Sequence, residues 1–345
     1  METIINSEGK TIFFSYEDFI KKIVDGNCCF ICGAEALSKE FNDEHIIPNW
    51  VLTKFALHKK TITLPNGTKF NYGQYKIPCC KECNSKLGET FETPVSELLK
   101  KNYEDIVQEV LADKLKMRLL FRWISLIFFK THLKDKALEM NRDKRFDEGK
   151  IGDQHYWEDM HHIHCLIRSS FTGAEIDSTV YGTIIILPVT GFEPDNLFDY
   201  VDTPFGRVVM IRMGSFCMIA VVDDGGAAAV ILNKQISSIR GAVNIFQIRE
   251  IISHLNAINL NLNERPVFKS LIRGKGDGEY IIFAEVPPVW KLEDESSTWN
   301  DASYLLHHYA SALMEHNDYN SKILEEIKNG RYSFLFNDQG EFLSN

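Results

Sequence analysis

The sequence predicts an α+β protein, and three observations along the chain carry that expectation. Six of the eight cysteines fall into two tight groups, Cys28, Cys29, Cys32 and Cys79, Cys80, Cys83. From Glu92 to about Leu138 apolar residues recur mostly at steps of three and four, the spacing of a helix. Beyond residue 154 the period shortens to two, with Gly, Asp and Pro between the runs, as in an antiparallel sheet. The chain divides accordingly into a cysteine-bearing segment over 1–95, a helical connector over 96–153 and a C-terminal α+β domain over 154–345.

Each element has a local reason. Thr11 to Phe14 reads as a short strand. Ser15 and Asp18 form an Asp variant of the capping box and open an amphipathic helix through Phe19, Ile20 and Ile23, which Gly26-Asn27 ends. In the connector, Leu98, Leu99, Ile106, Val110, Leu120, Trp123, Ile124 and Ile127 keep the helical spacing, and no proline interrupts residues 95–187. Residues 139–153 are polar and charged and read as a linker. His162 to Ile167, Tyr181 to Leu187, Arg207 to Arg212, Ser215 to Val222 and Ala228 to Leu232 read as strands, with Asp223-Asp224-Gly225-Gly226 as a hairpin turn. Helices return at about 241–261 and 300–328.

Of the 345 residues, 44% are hydrophobic and 25% charged, which excludes wholesale disorder. The greasiest run, Trp123 to Phe129, is bracketed by Arg122 and Lys130. It falls short of the roughly 20 residues that cross a bilayer, so no membrane partner is expected. Met1-Glu2-Thr3 does not open a secretory leader, and a cytoplasmic location is expected. A net charge of −10 excludes coating of nucleic acid by bulk charge. The acidity is uneven, however. Residues 1–150 hold 24 basic and 22 acidic side chains, residues 151–345 hold 14 and 26. A nucleic-acid contact therefore belongs in the first part. Its most basic stretch carries Lys114, Lys116, Arg118, Arg122, Lys130, Lys134 and Lys136, which otherwise read as a solvated helix face.

In a reducing compartment, grouped cysteines read as metal ligands before disulfides. Cys29-Phe30-Ile31-Cys32 and Cys80-Lys81-Glu82-Cys83 are two C-x-x-C knuckles with 47 residues between them. Four thiolates suit one structural Zn2+, and the two-residue gap aims both sulfurs of a knuckle at one ion. Cys28 and Cys79 would shift each knuckle by one residue; Cys29 and Cys80 keep the gap. Cys165 and Cys217, isolated in apolar surroundings, read as buried thiols. A zinc saturated by four sulfurs does no chemistry, so the interest lies in the residues it holds.

Between the knuckles lies Asp43-Glu44-His45-Ile46-Ile47-Pro48-Asn49-Trp50, and Asn84-Ser85-Lys86 follows the second. This array, over about residues 27–95, resembles the HNH endonuclease family, whose fold is the ββα-metal finger. The resemblance implies that His45 ends a first strand, that a second strand leads into Cys80 and Cys83, and that Asn84 lies at the start of a helix. It implies a metal-dependent endonuclease that hydrolyses DNA, double-stranded DNA being the expected partner. His45 would be the general base for water. Glu44 and Asn84 would supply oxygen ligands to one catalytic Mg2+ or Mn2+. The products would be a 5′-phosphate and a 3′-hydroxyl, and defence against phage or other foreign DNA would suit such an activity. Strand geometry sends Glu44 and His45 to opposite faces, so a bend at the strand's end is expected.

The match departs from the family in two places. Glu44 stands where Asp is commoner, with Asp43 beside it as a substitute, and the middle asparagine falls at Tyr75, with Gln74 and Asn71 as the nearest stand-ins. Glu92 reads as a solvated carboxylate that could support the site, and Lys86 as a surface lysine that could touch phosphate. His161, His162, His164 and Cys165 lack an acidic partner at ligand spacing and do not read as a metal site. The expected whole is a nuclease finger, basic helices over 97–136 along the DNA, and an acidic C-terminal domain that regulates or targets it through a signal, a partner protein or a homo-oligomer. The alternative is a non-catalytic zinc-stabilised nucleic-acid-binding or scaffold protein. The joint presence of His45 and Asn84 speaks against it, since a pure scaffold needs neither.

Overall fold

The computed structural model describes residues 2–143, 145–146, 148–191, 197–273 and 278–344. The chain forms two compact units, one from residues 1–180 with 268–285, the other from 181–267 with 286–345. The division thus falls after Val180 rather than at 153/154, and the first unit recruits a segment from far along the chain.

In the first unit, β1 (Ile4–Ile5) pairs antiparallel with β2 (Thr11–Phe13). Ser15 caps α1 (Tyr16–Asp18), accepting the Asp18 N–H at 3.1 Å, and the helix continues as a wider π turn over Phe19–Val24. There follow β3 (Phe41–His45), α2 (Asn49–Lys54), a small antiparallel pair of β4 (Thr61–Thr63) and β5 (Lys69–Asn71), then β6 (Lys76–Cys80) and α3 (Lys81–Leu87). β3 and β6 pair antiparallel in unbroken register from Phe41↔Cys80 to His45↔Lys76, and α3 packs on both. A π turn over Gly88–Glu92 joins α3 to α4 (Thr93–Leu99).

The connector is helical, as its spacing predicts: α5 (Tyr103–Ala112) is capped by Asn102 and α6 (Lys114–Asp135) by Asp113. α6 is no solvated basic face, however. Every residue from Trp123 to Leu133 is buried, and of the seven basic residues named for this stretch only Lys114 is exposed. A helix that is apolar all round must be covered on all sides. The expected linker is also tied down: Glu139 bridges to Lys150, and Ile151 is buried in a 3-10 turn over Ile151–Gln154. Lys144 and Asp147 of that stretch lie outside the described residues.

His162 to Ile167, expected as a strand, lies within α7 (Glu158–Thr172). The six residues alternate by chance; the wider window places buried Met160, Ile163 and Ile167 at steps of three and four. Gly173, at φ +77°, ends the helix in the left-handed region that suits glycine. β7 (Glu175–Ile176) then pairs in parallel with a strand from the later segment.

In the second unit β8 (Ile184–Pro188), β9 (Phe198–Thr203), β10 (Val208–Met213) and β11 (Phe216–Val221) form an antiparallel sheet in the order β8-β11-β10-β9. Asp223-Asp224-Gly225-Gly226 is a turn, but it leads from β11 into α8 (Ala227–Ile231) rather than into a hairpin strand. Asp224 decides this by accepting the N–H groups of Thr183 at 2.7 Å and Ala228 at 2.8 Å, while Gly225 and Gly226 take φ of +58° and +86°. Asp223 is spent on Arg207, on Arg265 at 2.6 Å and on Asn259 at 2.8 Å. After α9 (Asn233–Ser238), α10 (Ile245–Leu260) lays Ile248, Ile252 and Leu255 against Met210 and Ile219 of the sheet.

Within the later segment, β12 (Val267–Arg273) and β13 (Glu279–Glu285) complete the three-stranded sheet β12-β13-β7 of the first unit. The second unit closes with α11 (Glu295–Leu313) and α12 (Asp318–Lys328). Among the described residues no helix is long and apolar enough to cross a membrane.

Candidate functional site

The four cysteines chosen by spacing meet. The sulfurs of Cys29, Cys32, Cys80 and Cys83 all lie within 4.8 Å of one another, and the group could hold a metal ion such as zinc. Cys32 and Cys80 are 3.8 Å apart. A tetrahedron with Zn–S of about 2.3 Å has sulfurs about 3.8 Å apart, so the spacing suits that ion. Local backbone explains the aim. Gly33 turns at φ +70° and its N–H bonds the Cys29 carbonyl at 2.8 Å, closing the first knuckle. Cys80 is the N-cap of α3 and Cys83 lies in its first turn. The Cys29 thiol is pushed down by hydrogen bonds from Cys32, Cys79 and Cys83, whereas its bond to Cys29 pushes Cys32 up to about 12. Four sulfurs this close ionise together only around a cation. Cys79 touches Cys29 at 3.8 Å but stands outside the four, and Cys28 forms a bridge with Glu35.

α7 supports the first knuckle. The Arg168 guanidinium donates to the carbonyls of Thr11, of Ile12 at 2.8 Å and of Ile31 at 2.6 Å, and the His164 ring nitrogen meets the Phe30 carbonyl at 3.1 Å. His161 meets the Phe14 carbonyl at 2.9 Å. These helix side chains bind backbone, not metal; among the described residues the four-cysteine group is the one cluster of three or more Cys, His, Asp or Glu ligands.

The expected catalytic residues lie on β3 and α3. His45 ends β3, and the chain bends directly after it at Ile46-Ile47. The unbroken ladder sends Asn42 and Glu44 to one face and His45 to the other. Asn84, in α3, donates from Nδ2 to Asn42 Oδ1 at 2.8 Å, so it meets the face that carries Glu44. Glu44 accepts from the Lys130 ammonium at 2.7 Å through Oε1. Lys130 also donates to the His45 carbonyl at 2.7 Å, and its side chain is fully buried. The His45 imidazole is pushed below its ordinary value by burial and by Lys76 opposite it, with Glu44 pulling the other way. The His58 ring sits edge-on to it at 6.3 Å.

Glu92 is not the solvated carboxylate the sequence suggests. Its Oε2 accepts from Trp50 Nε1 at 2.8 Å, and its Oε1 is buried without a hydrogen-bond partner. Burial pushes it up to about 7, against the pull of Lys130. Lys86 turns to the Phe171 carbonyl at 3.4 Å. Tyr75, at the place of the middle asparagine, is buried and donates to Asp135 at 2.7 Å, while Gln74 and Asn71 are exposed.

Sequence reasoning missed Lys130 and Arg168 as parts of this region, and named Trp50 without its bond to Glu92. A signal for the first was present: a lysine inside a buried helix nearly always has a partner. Compared with protein-family models, with curated proteins and with solved structures, the chain matches none.

Proposed function

We propose that the chain is a metal-dependent endonuclease of the HNH type that hydrolyses double-stranded DNA, with defence against foreign DNA as its setting. The observation that carries this reading is the order of the finger. Paired strands β3 and β6 lead into α3 at a four-cysteine cluster, with Glu44-His45 at a strand's end and Asn84 on the helix that covers it. The donor types also suit a hard divalent ion. Glu44 uses Oε1 for Lys130 and Asn84 uses Nδ2 for Asn42, so each keeps an oxygen, Oε2 and Oδ1, with no hydrogen bond among the described residues. Such an ion, when bound, would neutralise charge on the scissile phosphate.

The residues of the chain supply the rest. His45, whose imidazole burial pushes below its ordinary value, can take a proton from water. Lys76 stands opposite it in the ladder, and its positive charge would suit a phosphate on that face. The cysteine cluster keeps strand and helix at fixed separation, so that side chains about 40 residues apart act together.

The ion pair of Glu44 with Lys130 favours the second reading, a non-catalytic zinc-stabilised scaffold, because it gives that carboxylate a structural use. Plasmid cleavage with Mg2+ or Mn2+ separates the two. Wild type is expected to cut, and His45→Ala to lose about 100-fold or more in rate while binding DNA as before. Binding without cleavage by both proteins, across double-stranded, single-stranded and RNA substrates, would replace the nuclease with the scaffold.

A further inference from the structure

We propose that Lys130 is a positioning residue of the site: it orients the Glu44 carboxylate towards a divalent cation and pins the end of β3 at His45. The inference rests on the nuclease reading for what the cation does, but not for whether it binds.

Three observations carry it. Lys130 has no exposed surface, so it cannot itself reach a phosphate or solvent. Its ammonium divides between two acceptors that belong to adjacent candidate residues, Glu44 Oε1 at 2.7 Å and the His45 carbonyl at 2.7 Å. And it comes from α6, an element 85 residues further along, whose neighbouring side chains Phe128, Phe129 and Thr131 are buried with it. An ammonium retained among such neighbours costs desolvation that an apolar residue would avoid. A use at the strand's end accounts for keeping it. By holding one carboxylate oxygen it leaves Oε2 as the free ligand atom, and by holding the carbonyl it fixes where the backbone turns after β3. The Lys130 charge also pulls the buried Glu92 carboxyl down, against the larger effect of burial. Positioning of this kind is how outer partners orient ligands at a hard-metal site.

The test uses the full chain carrying its zinc, with Lys130→Met, which keeps length and removes charge. Manganese binding by calorimetry and plasmid cleavage are measured side by side. The variant is expected to keep its zinc, to bind Mn2+ at least 10-fold more weakly, and to lose at least 30-fold in kcat with KM for DNA within threefold. Equal Mn2+ affinity and equal kcat in a folded variant would remove Lys130 from the site. If the single variant unfolds, Lys130→Gln is measured instead, since it removes the charge yet keeps a donor for the Glu44 and His45 acceptors. Unfolding of that variant as well would make Lys130 a structural residue only. If wild type binds Mn2+ in a Lys130-dependent way yet cuts nothing, the nuclease reading fails and the positioning role stands. If wild type cuts and Lys130→Met cuts equally, the reverse holds. If wild type binds no Mn2+, there is no ligand to orient and the proposal falls.

Discussion

A charged or titratable side chain inside a protein has to be matched by something, and here the matches come from distant parts of the chain. Lys130 meets Glu44 and His45, Arg168 meets Ile12 and Ile31, and Glu250 of α10 accepts from Ser333 at 2.6 Å and from the Phe334 N–H at 2.6 Å. His254, also on α10, is matched by no charge among the described residues: it stands edge-on to Trp299 in the wall of a cavity of about 630 Å³, and burial lowers it to about 4. That asymmetry has a sign. The unfolded chain takes up a proton at this histidine near pH 6.5, while the folded chain refuses it until about 4. Its contribution is therefore complete above pH 6.5 and lost as the pH falls towards 4, a loss of roughly 2 kcal/mol once its partly open position is allowed for. Urea unfolding of wild type and His254→Leu at pH 7.5 and pH 4.5 measures it: wild type should lose more stability across that interval by about this amount. Parallel losses would mean the imidazole is protonated in the folded protein. At this scale the short-range pattern was legible and the long-range one was not. Two C-x-x-C pairs announce their four sulfurs because spacing alone decides which atoms can converge. Nothing within ten residues of Lys130 names Glu44.

Elements read well where their period was long. α6 was visible because its apolar spacing runs over more than five turns. α10 falls within the helix expected at about 241–261, and its reciprocal cap of Asn244 and Gln247 was not read from the sequence. α7 was misread because His162 to Ile167 alternates over a window too short to tell two from three-point-six. The misreading hid its role, since only a helix can present His161, His164 and Arg168 at three- and four-residue steps towards Phe14, Phe30 and Ile31. The first cysteine knuckle is thus braced by a helix some 130 residues away, with Arg168 donating to the Ile31 carbonyl inside it at 2.6 Å. Arg168→Met should strand the buried carbonyls of Ile12 and Ile31 and the half-buried one of Thr11, and cost about 3 kcal/mol. It should also speed the transfer of zinc to a chromogenic chelator, followed by absorbance beside thermal unfolding. A variant that unfolds early yet releases zinc at the wild-type rate would show that α7 stabilises the unit without bracing the knuckle.

On the scale of the whole molecule, the cut at 153/154 fails for a topological reason that composition does not reveal. The chain completes most of the first unit by Val180, builds part of the second, and then returns with residues 268–285 before finishing the second. The returning β13 supplies Ile282, which is buried among Ile12, Phe13, Cys165 and Val180, and it pairs in parallel with the two-residue β7. A two-residue strand cannot hold itself in a sheet. Residues 1–180 therefore contain the cysteine cluster, Glu44, His45, Asn84 and Lys130, yet not the strands that cover Cys165 and Ile176. A fragment ending at Val180 is expected to bind a metal such as zinc as the full chain does, because the four cysteines and Arg168 all lie within it, but to expose apolar surface and associate. Appending residues 268–285 through a flexible Gly/Ser linker should restore a monodisperse species and raise the melting temperature by several degrees. Light scattering and scanning calorimetry on the two fragments check this. If the shorter one is already monodisperse and melts at the same temperature, β12 and β13 merely rest on the first unit, and the boundary at Val180 marks a complete domain.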